Sequence, residues 1–96
     1  MRAKKIYCVV AYDIAEHKRR NRIVKLIEPY GRRINYSVFE CMFTIAQLIQ
    51  LQQKLEQMIV KDDDQIAIYP ICVDCYTRIC YIPSLHPDYR AVHVFE

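Results

Sequence analysis

Seven consecutive residues, Ile6-Tyr7-Cys8-Val9-Val10-Ala11-Tyr12, carry no charge and no helical period, and the run stops at a carboxylate, Asp13. An apolar stretch this short, rich in β-branched and aromatic side chains, predicts a strand buried on both faces. Such a strand needs cover on each side, which constrains the chain to a layered fold. Asp13 then stands at the strand's C-terminal edge, where a rigid sheet commonly presents binding and catalytic groups. Asp is also a preferred helix N-cap, so the alternative is that Asp13 only caps the helix that follows.

Ninety-six residues make one domain with a modest core, of a size that often gains from oligomerisation, and a dimer is expected. With 53% hydrophobic and 26% charged residues the composition is that of a folded protein and excludes a disordered one. The charge is unevenly spread. Residues 1–33 hold ten Lys and Arg against three acids, a balance of +7, and residues 34–96 hold four against eight, a balance of −4. The basic third is where a polyanion would bind, unless it is only a solvated helix face. The apolar run is too short to span a membrane and lacks a small-residue cleavage site, so no membrane partner is expected and the cytoplasm is the expected location. Five cysteines, with Cys8 and Cys41 inside predicted strands, do not form a disulfide framework.

Periodicity gives the remaining elements. Glu16 to Tyr30 places Ile23, Leu26, Ile27 and Tyr30 on one helical face, with Arg20 and Arg22 on its shoulders and Lys18, Asn21 and Lys25 facing away. Arg32 to Phe43 alternates and is predicted as one long strand. Ala46 to Val60 repeats Leu48, Leu51, Leu55, Met58 and Ile59 as a second helix, and Asp62-Asp63-Asp64 follows as an acidic turn, solvated or cation-binding. Gln65 to Cys72 is predicted as a strand limited on one side by Pro70, Arg78 to Ile82 as a further strand, and Ala91 to Phe95 as a terminal one reached through Pro83 and Pro87. The expected architecture is α+β, a ferredoxin-like βαββαβ sandwich over residues 1–82 with an antiparallel sheet and both helices on one face. Residues 83–96 are then a linker and a strand that clasps a second subunit. A second copy of the sheet is the expected cover for the open face. The single glycine excludes a phosphate-cradling glycine-rich loop.

Tyr12-Asp13-Ile14, the basic helix start with Arg20-Asn21-Arg22, Tyr30-Gly31, and the run Arg33-Ile34-Asn35-Tyr36-Ser37-Val38-Phe39-Glu40 together resemble the second CRISPR-associated protein family, the small partner of the CRISPR integrase. The likeness is close over the first 40 or so residues. It departs at Asn35, where the family often has Gln. The resemblance implies a ferredoxin-like homodimer with exchanged C-terminal strands, acting with the integrase in spacer acquisition on DNA or RNA, and described in some members as a metal-dependent endonuclease or endoribonuclease. It places the family's aspartate on Asp13, its arginines on Arg20, Arg22 and Arg33, its aromatic positions on Tyr12 and Phe39, and its serine on Ser37. Asp13 and Tyr12 are thus the implied catalytic pair, and Asp13 the metal ligand.

Metal-assisted phosphodiester hydrolysis suits this set, because Mg²⁺ typically takes one or two carboxylates with waters and phosphate oxygens. One carboxylate per chain is sufficient if a dimer axis brings two copies of Asp13 together. Glu16 and His17 are the only neighbouring general-base candidates, and His17 also reads as an exposed helix-start residue. Arg20, Arg22 and Arg33 can hold phosphates bidentately, or pair with Glu16, Glu28 or Glu40. Lys18, Arg19 and Lys25 are expected as exposed phosphate contacts, while Ser37 and Phe39 are expected to line the same cleft as Arg33, Phe39 equally as core. Cys72-Val73-Asp74-Cys75 with Cys80 has zinc-like spacing but lacks a second pair. Three readings stay open: a Mg²⁺-dependent endonuclease, a non-catalytic DNA-binding adaptor between integrase dimers, and a toxin-like ribonuclease outside CRISPR immunity.

Overall fold

The computed structural model describes residues 4–84. The apolar run forms β1, Lys5–Asp13, with the burial alternating along it: Cys8, Val10 and Tyr12 are buried on one side, while Val9 and Ala11 on the other are only partly covered. Helix α1, His17–Ile27, follows, and a 3-10 turn at Glu28–Tyr30 leads into β2, Gly31–Asn35. Then come β3, Val38–Thr44, the helix α2, Ile45–Met58, the strand β4, Gln65–Ile71, and the short helix α3, Val73–Thr77. The four strands lie in the order β2-β3-β1-β4, and each neighbouring pair is antiparallel. This is the ferredoxin-like arrangement, with β1 central and β4 at an edge.

One face of the sheet makes the core with both long helices. Cys8 and Val10 of β1 and Phe39, Cys41 and Phe43 of β3 pack on Ile23 and Ile27 of α1 and Leu51 and Leu55 of α2. Burying each large apolar side chain here contributes about 1.5–3 kcal/mol. On the opposite face, Tyr7 is covered by Tyr76 of α3, ring centroids 4.3 Å apart in an edge-to-face contact. Glu40 is buried on β3 and accepts a hydrogen bond from Tyr81, which ties the segment after α3 to the sheet. Burial, reinforced by the neighbouring Glu40 carboxylate, pushes the Tyr7 phenol far above its ordinary pKa.

Two sequence expectations are corrected. The long strand from Arg32 to Phe43 is a hairpin, broken at Tyr36-Ser37, because the Asn35 side chain accepts from the Ser37 N–H at 3.0 Å and closes a turn. A bulge between Arg33 and Asn35 keeps Arg33 opposite Phe39. Alternation persists across so short a turn, so periodicity alone could not find it. The strand expected at Arg78–Ile82 is absent: Cys72 caps α3 instead, the buried Tyr76 anchors that helix, and residues 78–84 are irregular. The hairpin therefore supplies the fourth strand. Pro70 is tolerated because, among the described residues, β4 pairs only with β1. The strand expected at Ala91–Phe95 lies outside the described residues.

Candidate functional site

Asp13 ends β1 opposite Gln65, its cross-strand partner on β4. It does not cap α1. That role falls to Glu16, whose carboxylate accepts from the N–H of Arg19 at 2.9 Å and of Lys18 at 3.1 Å, and these bonds hold its pKa below the usual carboxylate range. Among the described residues nothing hydrogen-bonds to or ion-pairs with the Asp13 carboxylate, which is exposed. It lines an open depression of about 260 Å³ with Ala11, Tyr12, Gln65, Ala67 and Tyr69. That depression lies on the sheet face away from the long helices, and Tyr69 stands 55% exposed there.

Tyr12 points the other way, into the core. Its hydroxyl donates to the Tyr36 carbonyl at 2.5 Å and accepts from an Arg33 Nη at 3.0 Å, and its backbone N–H donates to the Ser37 carbonyl. With the hydroxyl engaged both ways, Tyr12 clamps the hairpin tip to the end of β1. The Arg33 guanidinium also lies 5.7 Å from the Phe39 ring centroid, a cation–π contact. Arg33 is exposed and has no carboxylate within ion-pair distance among the described residues, so the expected alternative of an ion pair with Glu40 is not the arrangement found. Phe39 is core, 2% exposed, and touches the site only through Arg33 and Tyr12. Ser37 sits in the hairpin turn rather than on a strand, and it is exposed.

Arg20 folds back along α1 and donates from Nε and Nη2 to the Ile14 carbonyl, at 3.2 and 2.9 Å, so it braces the loop that leaves Asp13. Arg22 and Lys18 stand exposed on α1, four residues apart and therefore on one side of it. Arg19 differs from its expected place as an exposed phosphate contact. Its side chain is 13% exposed and grips Asp64 through Nε and Nη2 at 2.5 and 2.9 Å. Asp64 also accepts from the N–H of Ala15 and of Val60, both at 2.9 Å. The Arg19 guanidinium, foremost, holds the Asp64 carboxyl well below the usual carboxylate range. The acidic triplet is thus not wholly solvated: its third member is buried and fully bonded. Sequence reading missed this role, since nothing in three adjacent aspartates distinguishes the one that turns inward.

His17 is exposed, with its ring 3.3 Å from the Asn21 amide one turn along. Among the described residues no three His, Cys, Asp or Glu side chains converge as a metal site, the Cys72, Cys75 and Cys80 set included. The donors at the depression are the Asp13 carboxylate and the Gln65 amide, hard oxygen groups of the kind Mg²⁺ prefers. With one carboxylate per chain, they fit such an ion only as half of a site.

Residues 6–79 match the family model described as CRISPR associated protein Cas2. A Chloroflexus aurantiacus protein named CRISPR-associated endoribonuclease Cas2 1 is 39% identical over 75 residues, 77% of this chain and 81% of that one. The crystal structure of Streptococcus pyogenes Cas2 superposes with a TM-score of 0.71 at 30% identity, covering 78% of this chain and 96% of that one. A chain of a partial Cas6-RT-Cas1–Cas2 complex gives 0.66 at 26% identity, covering 81% of this chain and 91% of that one. The chain, with the depression at the end of its central strand, therefore belongs to the Cas2 family of CRISPR-associated proteins.

Proposed function

We propose that this protein acts in CRISPR adaptation as a homodimeric partner of the Cas1 integrase, binds nucleic-acid backbone, and cleaves RNA or DNA in a Mg²⁺-dependent reaction centred on Asp13. The observation that carries the nuclease reading is the unengaged Asp13 carboxylate, exposed at the end of the central strand on the sheet face that no long helix covers. The integrase partnership is supported by the likeness to a chain found in a complex with Cas1, and the endonuclease activity by the names of the relatives.

Val9, Ala11, Val38, Met42 and Ala67 are only partly buried on that face, and a second copy packed there would bury them and bring two Asp13 side chains together. Bound Mg²⁺ would activate water and offset charge on the phosphate. The chain's own residues do the rest. Asp13 and Gln65 present oxygen donors, Arg20 fixes the loop behind Asp13, and Tyr12 holds the hairpin so that Arg33 is presented at its side. Arg33, Arg22 and Lys18 offer cationic donors to phosphate oxygens, and Ser37 a hydroxyl at the hairpin tip, without reading sequence. The non-catalytic adaptor is a second reading, favoured by the engaged Tyr12 hydroxyl and the single carboxylate per chain.

Cleavage of labelled single-stranded RNA and duplex DNA, with Mg²⁺ or EDTA, tests the choice. Asp13→Asn is expected to lower Mg²⁺-dependent cleavage by at least about 100-fold, the upper range for losing even an outer-shell group of a metal site, with dimerisation and melting temperature unchanged. Equal cleavage by both proteins, or none by either, leaves the adaptor.

A further inference from the structure

Cleavage and phosphate binding leave one chemically active group unused, the pair Cys72 and Cys75. The chain's thiols fall into two classes. Cys8 and Cys41 are buried in the sheet, where burial pushes the Cys41 thiol up to about 12 and raises Cys8 too, so neither is nucleophilic. Cys72, Cys75 and Cys80 are exposed. Cys72 has the extended backbone of an N-cap residue, φ −69° and ψ 160°, and its Sγ accepts from the Cys75 N–H at 3.3 Å. Cys75 lies on the same side of the first turn, the spacing across which an N-cap side chain ordinarily meets its backbone donor. The turn is held in place: the Tyr76 N–H donates to the Cys72 carbonyl at 2.9 Å, and the Tyr76 ring is buried against Tyr7. Arg78 pairs with Asp74 at 2.9 Å on the outer side.

We propose that Cys72 and Cys75 form a thiol–disulfide exchange site, with Cys72 the attacking and Cys75 the resolving sulfur, whose co-substrate is a low-molecular-weight disulfide. The Cys72 thiolate attacks one sulfur of the small disulfide, forming a mixed disulfide and expelling one thiolate. The Cys75 thiolate then attacks Cys72 Sγ, expels the second, and closes a bond between the two protein sulfurs. The two protein thiols lose two electrons and two protons, and the small disulfide gains them as two thiols. The division of labour follows the local bonding. The Cys75 N–H, and next the Cys75 thiol, lower the pKa of Cys72, whereas the Cys72 sulfur raises that of Cys75. A Cys-x-x-Cys pair spanning a strand end and the next helical turn has the spacing such chemistry uses.

The test is incubation of the full-length protein with oxidised glutathione, followed by alkylation of remaining thiols, trypsin digestion and mass spectrometry. Cys72 and Cys75 share the peptide 62–78, and Cys80 falls in the next one. The expected product is peptide 62–78 lighter by two hydrogens and unalkylated, with Cys80 alkylated. Cys75→Ser is expected to stop at one glutathione on Cys72. Cys72→Ser, which keeps an N-cap acceptor and hence the fold, is expected to leave Cys75 reacting no faster than Cys80. Equal glutathione addition to all three cysteines, or a disulfide joining peptide 62–78 to the peptide of Cys80, overturns the proposal.

Discussion

Asp64 ties three segments of this molecule together. Its two oxygens collect the Arg19 guanidinium, the N–H of Ala15 beyond β1 and the N–H of Val60 beyond α2, so one carboxylate joins three segments. Replacing it leaves these part-buried donors without an acceptor, which costs stability. Asp64→Asn is expected to lower the melting temperature by several degrees. The pH dependence follows from the direction of the shift. The folded pKa lies below the unfolded value of about 3.9, so the contribution is complete above about pH 5 and is lost as pH falls through the unfolded and toward the folded value. The difference in melting temperature between native protein and variant should be flat from about pH 5 to neutrality and shrink below about pH 4. A difference that grows on acidification contradicts this. Asp13, by contrast, makes no side-chain hydrogen bond or ion pair among the described residues, so its replacement is expected to leave the melting temperature unchanged.

Among the elements, α2 and the β2–β3 hairpin show how local signals succeed and fail. Thr44 and Gln47 form a reciprocal capping box at the start of α2, with bonds of 2.9 and 3.1 Å. Thr44→Ala is expected to cost about 1 kcal/mol in chemical denaturation, and Thr44→Ser to recover most of it. Gly31, which opens β2, is needed for space and not for dihedral freedom. A Cβ there would sit 1.9 Å from the Glu40 carbonyl oxygen and 2.7 Å from the Cys41 Cα, both backbone atoms of β3. Gly31→Ala is expected to cost about 1–3 kcal/mol or more, the range for overpacking, read as a lower urea midpoint; a neutral result would mean that β2 can shift away. The helices were legible because apolar residues recurring every three to four positions, as Leu48, Leu51 and Leu55 do, line up on one side of a helix and scatter over both faces of a strand. The hairpin was not, because its turn is made by Asn35 bonding to Ser37, without a glycine or proline to mark it.

For the whole molecule, the decisive property is asymmetry between the two sheet faces. One is sealed by α1 and α2, while the other carries α3 near Tyr7 and is otherwise open around Val9, Ala11 and Tyr69. The free side of β4 is likewise unpaired among the described residues. The proposed homodimer would use both features, and deleting residues 85–96 is expected to shift the protein toward monomer in sedimentation velocity, with cleavage falling alongside. Unchanged dimerisation would place the contact wholly on the sheet face. No helix among the described residues is long and apolar enough to cross a membrane.

Local patterns and adjacency along the chain were enough to establish the central strand, the two amphipathic helices, the basic first third and Asp13 at the strand's end. The resemblance carried by Tyr12-Asp13-Ile14 and the Ser37-Val38-Phe39-Glu40 segment named the family. Which charges stay available emerged only from the folded arrangement. Arg19 and Asp64 neutralise each other across 45 positions, Arg20 turns back on a carbonyl, and Arg33 keeps its charge beside an aromatic ring and a phenol. Those outcomes depend on which side chains meet after folding, and an ion pair between distant residues leaves no periodicity to read.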